Sequence, residues 1–386
     1  MFTKDTYKSS IVAGIASYVN GPVENCTNSG KIHLEAAKSF AGRNSIGGLD
    51  GTKSTSTSTP TAAGVIGYGY SSATSVFHIK DCSNSGTVTY INHNSDGSGT
   101  SGRPHVAGVV GAPWGPVENC HNTGDLTYEV RYQTAIVNLL SYIGGVAGSD
   151  YYAKSQSESS IIGCSNTGNI TVHCDMGTSN NCVGGIIGWP GAESNCTNVT
   201  KDCVNKGNIT FSGEGKVRLG GIQGGSGRII NCVNEGNITI NSSNAGSVYG
   251  GIAGFHSGGF ELQNSTNTGD VVANVAITSG GVAGMAGNLG NSAHASGIIK
   301  GNTIKCTVKA QEGTCGVGMV AGHYNGNSKT IYMGTADEPI KVAGSIQIGE
   351  TVTVVDATNV MDPAVLGNTC SNFLATSHIY NCVLAE

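Results

Sequence analysis

Charge is what this sequence has least of. Asp, Glu, Lys and Arg make up 12% of its 386 residues, about half of ordinary usage. The net charge of −5 is too small to imply nucleic acid or an anionic membrane surface as a partner. Long apolar runs are missing as well. No stretch of eighteen apolar residues occurs, so nothing reads as a membrane-spanning helix. The opening MFTKDTYKSS has no apolar signal core, which leaves a cytosolic protein or one whose signal has been removed. The low-charge Gly/Asn/Thr/Ser composition favours the second. Helical periodicity is absent throughout.

Glycine is abundant, at 60 residues, about twice the usual share, and it falls in a pattern. A Cys-x-Asn-x-Gly frame returns at Cys26, Cys82, Cys120, Cys164, Cys203 and Cys232, and once more with Ser265 in the Cys place. All seven copies keep the Asn (Asn28, Asn84, Asn122, Asn166, Asn205, Asn234, Asn267) and the Gly. Six residues after the Cys place stand Ile32, Val88, Leu126, Ile170, Ile209, Ile238 and Val271. Two further on come Leu34, Tyr90, Tyr128, Val172, Phe211, Ile240 and Ala273, mostly with a Thr between. Apolar-polar-apolar is a strand with one buried face. The Asn-x-Gly before it is expected to make the corner, because both residues tolerate left-handed backbone angles. Stacked Asn amides can also bond from copy to copy.

Between these corners lies a second frame, Gly/Ala-Gly-aliphatic-x-Gly/Ser. It reads AGIAS at 13–17, AGVIG at 63–67, AGVVG at 107–111, GGVAG at 144–148 and GGIIG at 184–188. It continues as GGIQG at 220–224, GGIAG at 250–254, GGVAG at 280–284 and a looser GMVAG at 318–322. Paired Gly inside a strand suggests a bend or a close backbone approach. One strand at the box, one at the Cys and one after the corner predict a three-sided coil. No single turn buries its own apolar side, but stacked turns share a core. The chain is therefore expected to be all-β, a right-handed parallel β-helix of about eight or nine rungs over residues 1–325. Residues 326–386 drop the frame and read as a small β-rich cap. The stretch 301–310 reads as a degraded last corner.

Thirteen cysteines invite a disulfide reading, but six share one repeat position and would stack as buried thiols. The others have no zinc-ligand spacing; His173-Cys174 with Cys182 is the one weak metal hint. No metal and no cofactor are expected. The 25 carboxylates are scattered. Asp150 and Glu193, which follow boxes of successive rungs, are the best candidate pair for acid–base work. Gly-rich stretches lack the following Lys that a phosphate loop needs. The Asn-Ile-Thr sequons at Asn169, Asn208 and Asn237 are by-products of the repeat.

Aromatic placement is the strongest candidate signal for a site. Tyr68 and Tyr70, Trp114, Tyr151 and Tyr152, Trp189, and Phe255 with His256 all follow boxes closely. With rungs about 4.8 Å apart, such side chains could form one column that stacks on sugar rings. The competing reading is that they plug the end of the apolar core.

The boxes GGVAG, GGIIG, GGIQG and GGIAG, with CSNTGNI, CVNKGNI and CVNEGNI, resemble the Gly-Leu-aliphatic-Gly ("GLUG") repeats of large surface and adhesin-like proteins of Bacteroidetes and other bacteria. Ile or Val stands here where Leu is common. The resemblance covers most of 13–322 and assigns no catalytic residue. It implies an extracellular, cell-surface setting and a non-enzymatic adhesin or glycan-binding role, with a polysaccharide, a surface glycan or a surface protein as partner. The alternatives are a polysaccharide-active β-helix enzyme (a lyase or glycoside hydrolase) and a purely structural stalk.

Overall fold

The computed structural model describes residues 11–36, 60–71, 75–94, 103–132, 140–149, 160–175, 181–191, 198–242, 244, 246–257, 261–290, 298–325, 332–367 and 379–386. The chain winds as a parallel β-helix. The box strands, from Ile11–Ala13 and Thr61–Ala63 to Val317–Gly318, form one nine-stranded parallel sheet. Directly after each box a second strand runs, first Ala16–Asn20, then Ile66–Tyr70, Val110–Ala112, Ala147–Ser149 and Ile187–Trp189. This layer narrows to the single bridging residue Gln223 and resumes at Ala253–Ser257. A third, ten-stranded sheet is made of short strands just ahead of the Cys position, such as Pro22–Glu24, His78–Lys80 and Arg228–Ile230. The fourth has eighteen strands, because most coils give it two: Thr27–Asn28 and Ile32–Ala36 in the first.

A full coil thus crosses five strands, where the sequence pattern predicts three. The two extra strands are only two to five residues long. They mix polar and apolar residues without a clean alternation, so periodicity does not betray them.

The corner sheet follows the pattern closely. All seven residues at the first apolar position, from Ile32 to Val271, are buried, and so are all seven at the second, from Leu34 to Ala273. Each fully buried aliphatic or Phe side chain contributes roughly 1.5–3 kcal/mol of transfer free energy. Cys82, Cys120, Cys164, Cys203 and Cys232 are buried free thiols, and Cys26 at the column's start is half-buried and also free. Cys315 is disulfide-bonded.

The Asn ladder forms as expected. Each corner amide donates to the next corner's Oδ1: Asn28 to Asn84, Asn84 to Asn122 and Asn122 to Asn166 at 2.8 Å, Asn166 to Asn205 at 2.9 Å, Asn205 to Asn234 at 2.8 Å and Asn234 to Asn267 at 2.7 Å. The sequon asparagines form a second, exposed ladder: the Asn208 N–H donates to Asn169 Oδ1 at 3.1 Å and the Asn237 N–H to Asn208 Oδ1 at 2.9 Å.

The left-handed residue is not in Asn-x-Gly. It stands one place before the Cys position: Asn25, Asp81, Asn119, Asp202, Asn231 and Asn264 have φ between 48° and 54°, and Gly163 and Gly301 fill the same place. Asn and Gly do sit where the backbone needs them, but at another corner. The corner Asn is extended and spends its side chain on the ladder.

The box glycines are explained by that ladder. A Cβ on Gly145 would lie 2.5 Å from Asn166 Cγ, and one on Gly14 2.5 Å from Asn28 Cγ. The second box glycine is the space in which the corner amide lies. The same register corrects one box. Gly250 pairs with Ala283, so the equivalent residues are 283–287, AGMAG, and not GGVAG at 280–284. Further along, Asn267 pairs with Ile304 and Ile304 with Val342. Gly284 still leaves room for the corner side chain, since a Cβ there would lie 2.6 Å from Ile304 Cγ2; one coil on, Met319 takes the second-glycine place, since Ala283 pairs with Gly318. The corner itself disappears: Thr303–Ala310 is one continuous eight-residue strand.

Residues 326–331, where the cap is expected to begin, lie outside the described residues. From 332 on the strands join the existing sheets. Ile340–Ile348 pairs in parallel with Thr303–Ala310, and Cys382–Leu384 pairs with Ile340–Val342. Thr351–Val354 turns back antiparallel on Ser345–Ile348. The helix Pro363–Leu366, the only one among the described residues, presents carbonyls to the final box: the Met319 and Val320 N–H groups donate to Val365 and Leu366. Among the described residues no helix is long and apolar enough to cross a membrane.

Candidate functional site: an aromatic strip outside the core

The strand after each box positions the candidate aromatics. Tyr18 pairs with Tyr68, Tyr68 with Ala112, and Ser149 with Trp189, so these positions share one column. Tyr18 and Tyr68 stack at 5.6 Å and 8°. Tyr70 lies 6.4 Å from Tyr18 and 4.9 Å from Trp114, which in turn is 5.9 Å from Tyr68. Four rings are therefore brought together at one end of the strip.

A second column faces the first. Two residues before the box, His105, Tyr142, Cys182 and Arg218 stand in register on successive coils. Tyr142 stacks on Trp189 at 5.1 Å and 18°, and His105 lies 5.3 Å from Tyr142. The Arg218 guanidinium carbon sits 4.1 Å above the Phe255 ring, a cation–π pair. The floor between the columns is glycine. A Cβ on Gly225 would run into the Trp189 indole and one on Gly227 into Pro190. The coil at 220–224 lacks an aromatic after its box because Trp189 of the preceding coil occupies that place.

Tyr68 is buried, whereas Tyr70, Trp114, Trp189 and Phe255 keep partial exposure. Tyr68, Trp114, Tyr142 and Trp189 stand apart from the continuous apolar core, whose large rings are Phe77, Tyr90, Tyr128, Phe211 and Tyr249. His256 is fully buried and offers no surface. Tyr151, Tyr152, Asp150 and Glu193 lie outside the described residues. His105, Tyr142 and Arg218 stand ahead of the boxes and do not belong to the aromatic pattern that follows them. Their common place two residues before the box was the available signal.

His105 is 1% exposed, and burial lowers its pKa to about 3, with a smaller push from Arg103. It is a neutral imidazole in this strip. In the two columns, the described residues from Thr61 to Val248 and from Tyr18 to His323 include no carboxylate. Most of these side chains are buried; Tyr18, Trp189, Arg218, Phe255 and His323 keep partial exposure.

The metal hint is taken apart by strand alternation. Cys174 points into the core while His173 points out, bonding Ser212 Oγ at 2.9 Å and Asp175 Oδ1 at 2.6 Å. A Ser-His-Asp set resembles a catalytic triad, but the outward His121 makes the same contacts, to Ser165 Oγ at 2.8 Å and Asn119 Oδ1 at 3.0 Å. The shared arrangement braces one coil against the next. Among the described residues no three His, Cys, Asp or Glu gather as a metal site. No family model, no curated protein and no solved structure matches the chain.

Proposed function

We propose that the protein is a non-catalytic binding module of a bacterial outer surface that holds a polysaccharide against the aromatic strip. The observation that carries this reading is the strip itself: Trp114, just past the strand Val110–Ala112, and Trp189, at the end of the strand Ile187–Trp189, keep part of their surface in solvent outside the main core. Planar rings with the half-exposed Arg218 among them match the apolar faces and hydroxyls of a sugar chain. The likeness of the boxes to GLUG repeats supports the surface setting. A screen against plant, host and bacterial polysaccharides tests it. Binding that Trp189→Ala weakens, with the glycan recovered at its original length, supports the proposal; shortened or unsaturated products, or no binding to any glycan, overturn it.

A further inference from the structure

The column Cys26–Cys82–Cys120–Cys164–Cys203–Cys232 has a regularity that apolar filling does not require. Each interior thiol adopts the same pose. Sγ reaches the carbonyl two residues back, at 3.2 Å for Cys82, 3.3 Å for Cys120, 3.4 Å for Cys164, 3.1 Å for Cys203 and 3.4 Å for Cys232. It also reaches a carbonyl of the previous coil, from 3.8 Å at Cys82 to 3.4 Å at Cys232. Identical poses on in-register strands place the sulfurs one coil repeat apart, about 4.8 Å. Two thiolate–metal bonds of about 2.3 Å, the zinc–thiolate length, laid end to end span about 4.6 Å.

We propose that neighbouring thiols of this column bind soft, two-coordinate metal ions in line between them. Zinc does not suit the place: it asks for four ligands, and no group of three or more metal-binding side chains is present among the described residues. A soft d10 ion that accepts linear thiolate coordination needs only two. The balance is Hg²⁺ + 2 R–SH → RS–Hg–SR + 2 H⁺. A divalent ion leaves a neutral unit, which a buried site tolerates best. Each sulfur serves one neighbour at a time, so six sulfurs hold at most three ions. The half-buried Cys26 is the accessible end. The column stops where Ser265 takes the Cys place, its Oγ accepting from the Cys232 N–H at 3.1 Å. Each ion bound releases two thiol protons, so binding strengthens as pH rises.

The test uses the reduced, folded protein with Hg(II) in excess monothiol, which strips singly held ions. Three retained ions, two protons released per ion and a raised melting temperature are expected. Cys26→Ser should retain two ions. Cys82→Ser combined with Cys164→Ser should retain one, leaving only Cys203 with Cys232. Serine is the substitution of choice because Ser265 already occupies this position in one coil. No retained ion, one proton per ion, or retention unchanged in Cys26→Ser overturns the proposal, and Cys26→Ser decides the matter if the double variant does not fold.

Discussion

Gly145 and Asn166 face each other across the coil so closely that a methyl group on Gly145 would lie 2.5 Å from Asn166 Cγ. The box and the corner are two halves of one contact. Gly145→Ala is expected to destabilise by about 1–3 kcal/mol or more, the cost of overpacking a filled interior. Urea unfolding measures it, and a loss below ~0.5 kcal/mol would refute this account of the box.

Asn205 sits in mid-ladder, accepting from Asn166 and donating to Asn234 and to the Gly207 carbonyl. Asn205→Ala leaves buried partners unpaired, and a cost of about 1–3 kcal/mol follows for each unsatisfied group. Glycan binding should be unchanged, since the ladder lies away from the strip. Weaker binding at full stability would contradict a structural role.

Asn231, at φ 54°, holds the left-handed corner before Cys232. Asn231→Val should cost about 1–2 kcal/mol, the penalty of that backbone region for a residue with a branched Cβ. Asn231→Gly should stay within about 0.5 kcal/mol, as Gly163 and Gly301 fill this place in other coils. Equal losses for the two variants would show that the backbone angle is not the cause.

Much of this fold was legible, and its failures are physical. Ile32 through Val271 could be placed in the core because period-two burial repeats seven times over. The strands at Pro22–Glu24 and Ile187–Trp189 were not legible, since three residues are too few to show a period. Asn-x-Gly and the residue ahead of each Cys, mostly Asn or Asp, are both of the right type for the left-handed corner, and only the backbone angles show that the second carries it. Box 280–284 carries a similar ambiguity: GGVAGMAG contains two overlapping matches, and the pairing of Gly250 with Ala283 chooses the second. At the strip, the sequence pattern puts Trp114 and Trp189 in one group. Trp114 joins Tyr68 and Tyr70, while Trp189 joins Tyr142, because a neighbour from another coil cannot be read from adjacent sequence.

Trp189→Ala removes a ring stacked on Tyr142 at 5.1 Å that stays outside the core. Glycan affinity should fall by about 2 kcal/mol, as for a central aromatic contact. The stability loss should be nearer 0.5–1.5 kcal/mol, the worth of an aromatic pair. Thermal melting and titration of one sample read both. A stability loss of about 3–5 kcal/mol, typical of a core Trp, would place the ring's role in packing.

His105 is neutral when folded, its pKa lowered by burial to about 3, while unfolded it titrates near its ordinary value. Between these values the unfolded chain binds a proton that the folded one refuses. Stability is therefore complete above about pH 6.5 and falls towards pH 3 by about 1.4 kcal/mol per unit. His105→Gln should flatten this slope by one proton. An unchanged slope would show that the histidine is protonated in the fold.

The ladders and sheet bonds all run along the axis of the coil, and this fixes how the molecule would answer a pull on its two ends. Tension applied along that axis loads the bonds between coils one after another, in the manner of a zip, and not all at once as in shear. Corner asparagines on neighbouring coils are 29 to 56 residues apart. At about 3.3–3.6 Å of extended chain per residue, each coil that peels away frees roughly 100–200 Å of slack. Under load the rod would act as a stepped extension reel, with step lengths set by the number of residues between copies of the repeated frame.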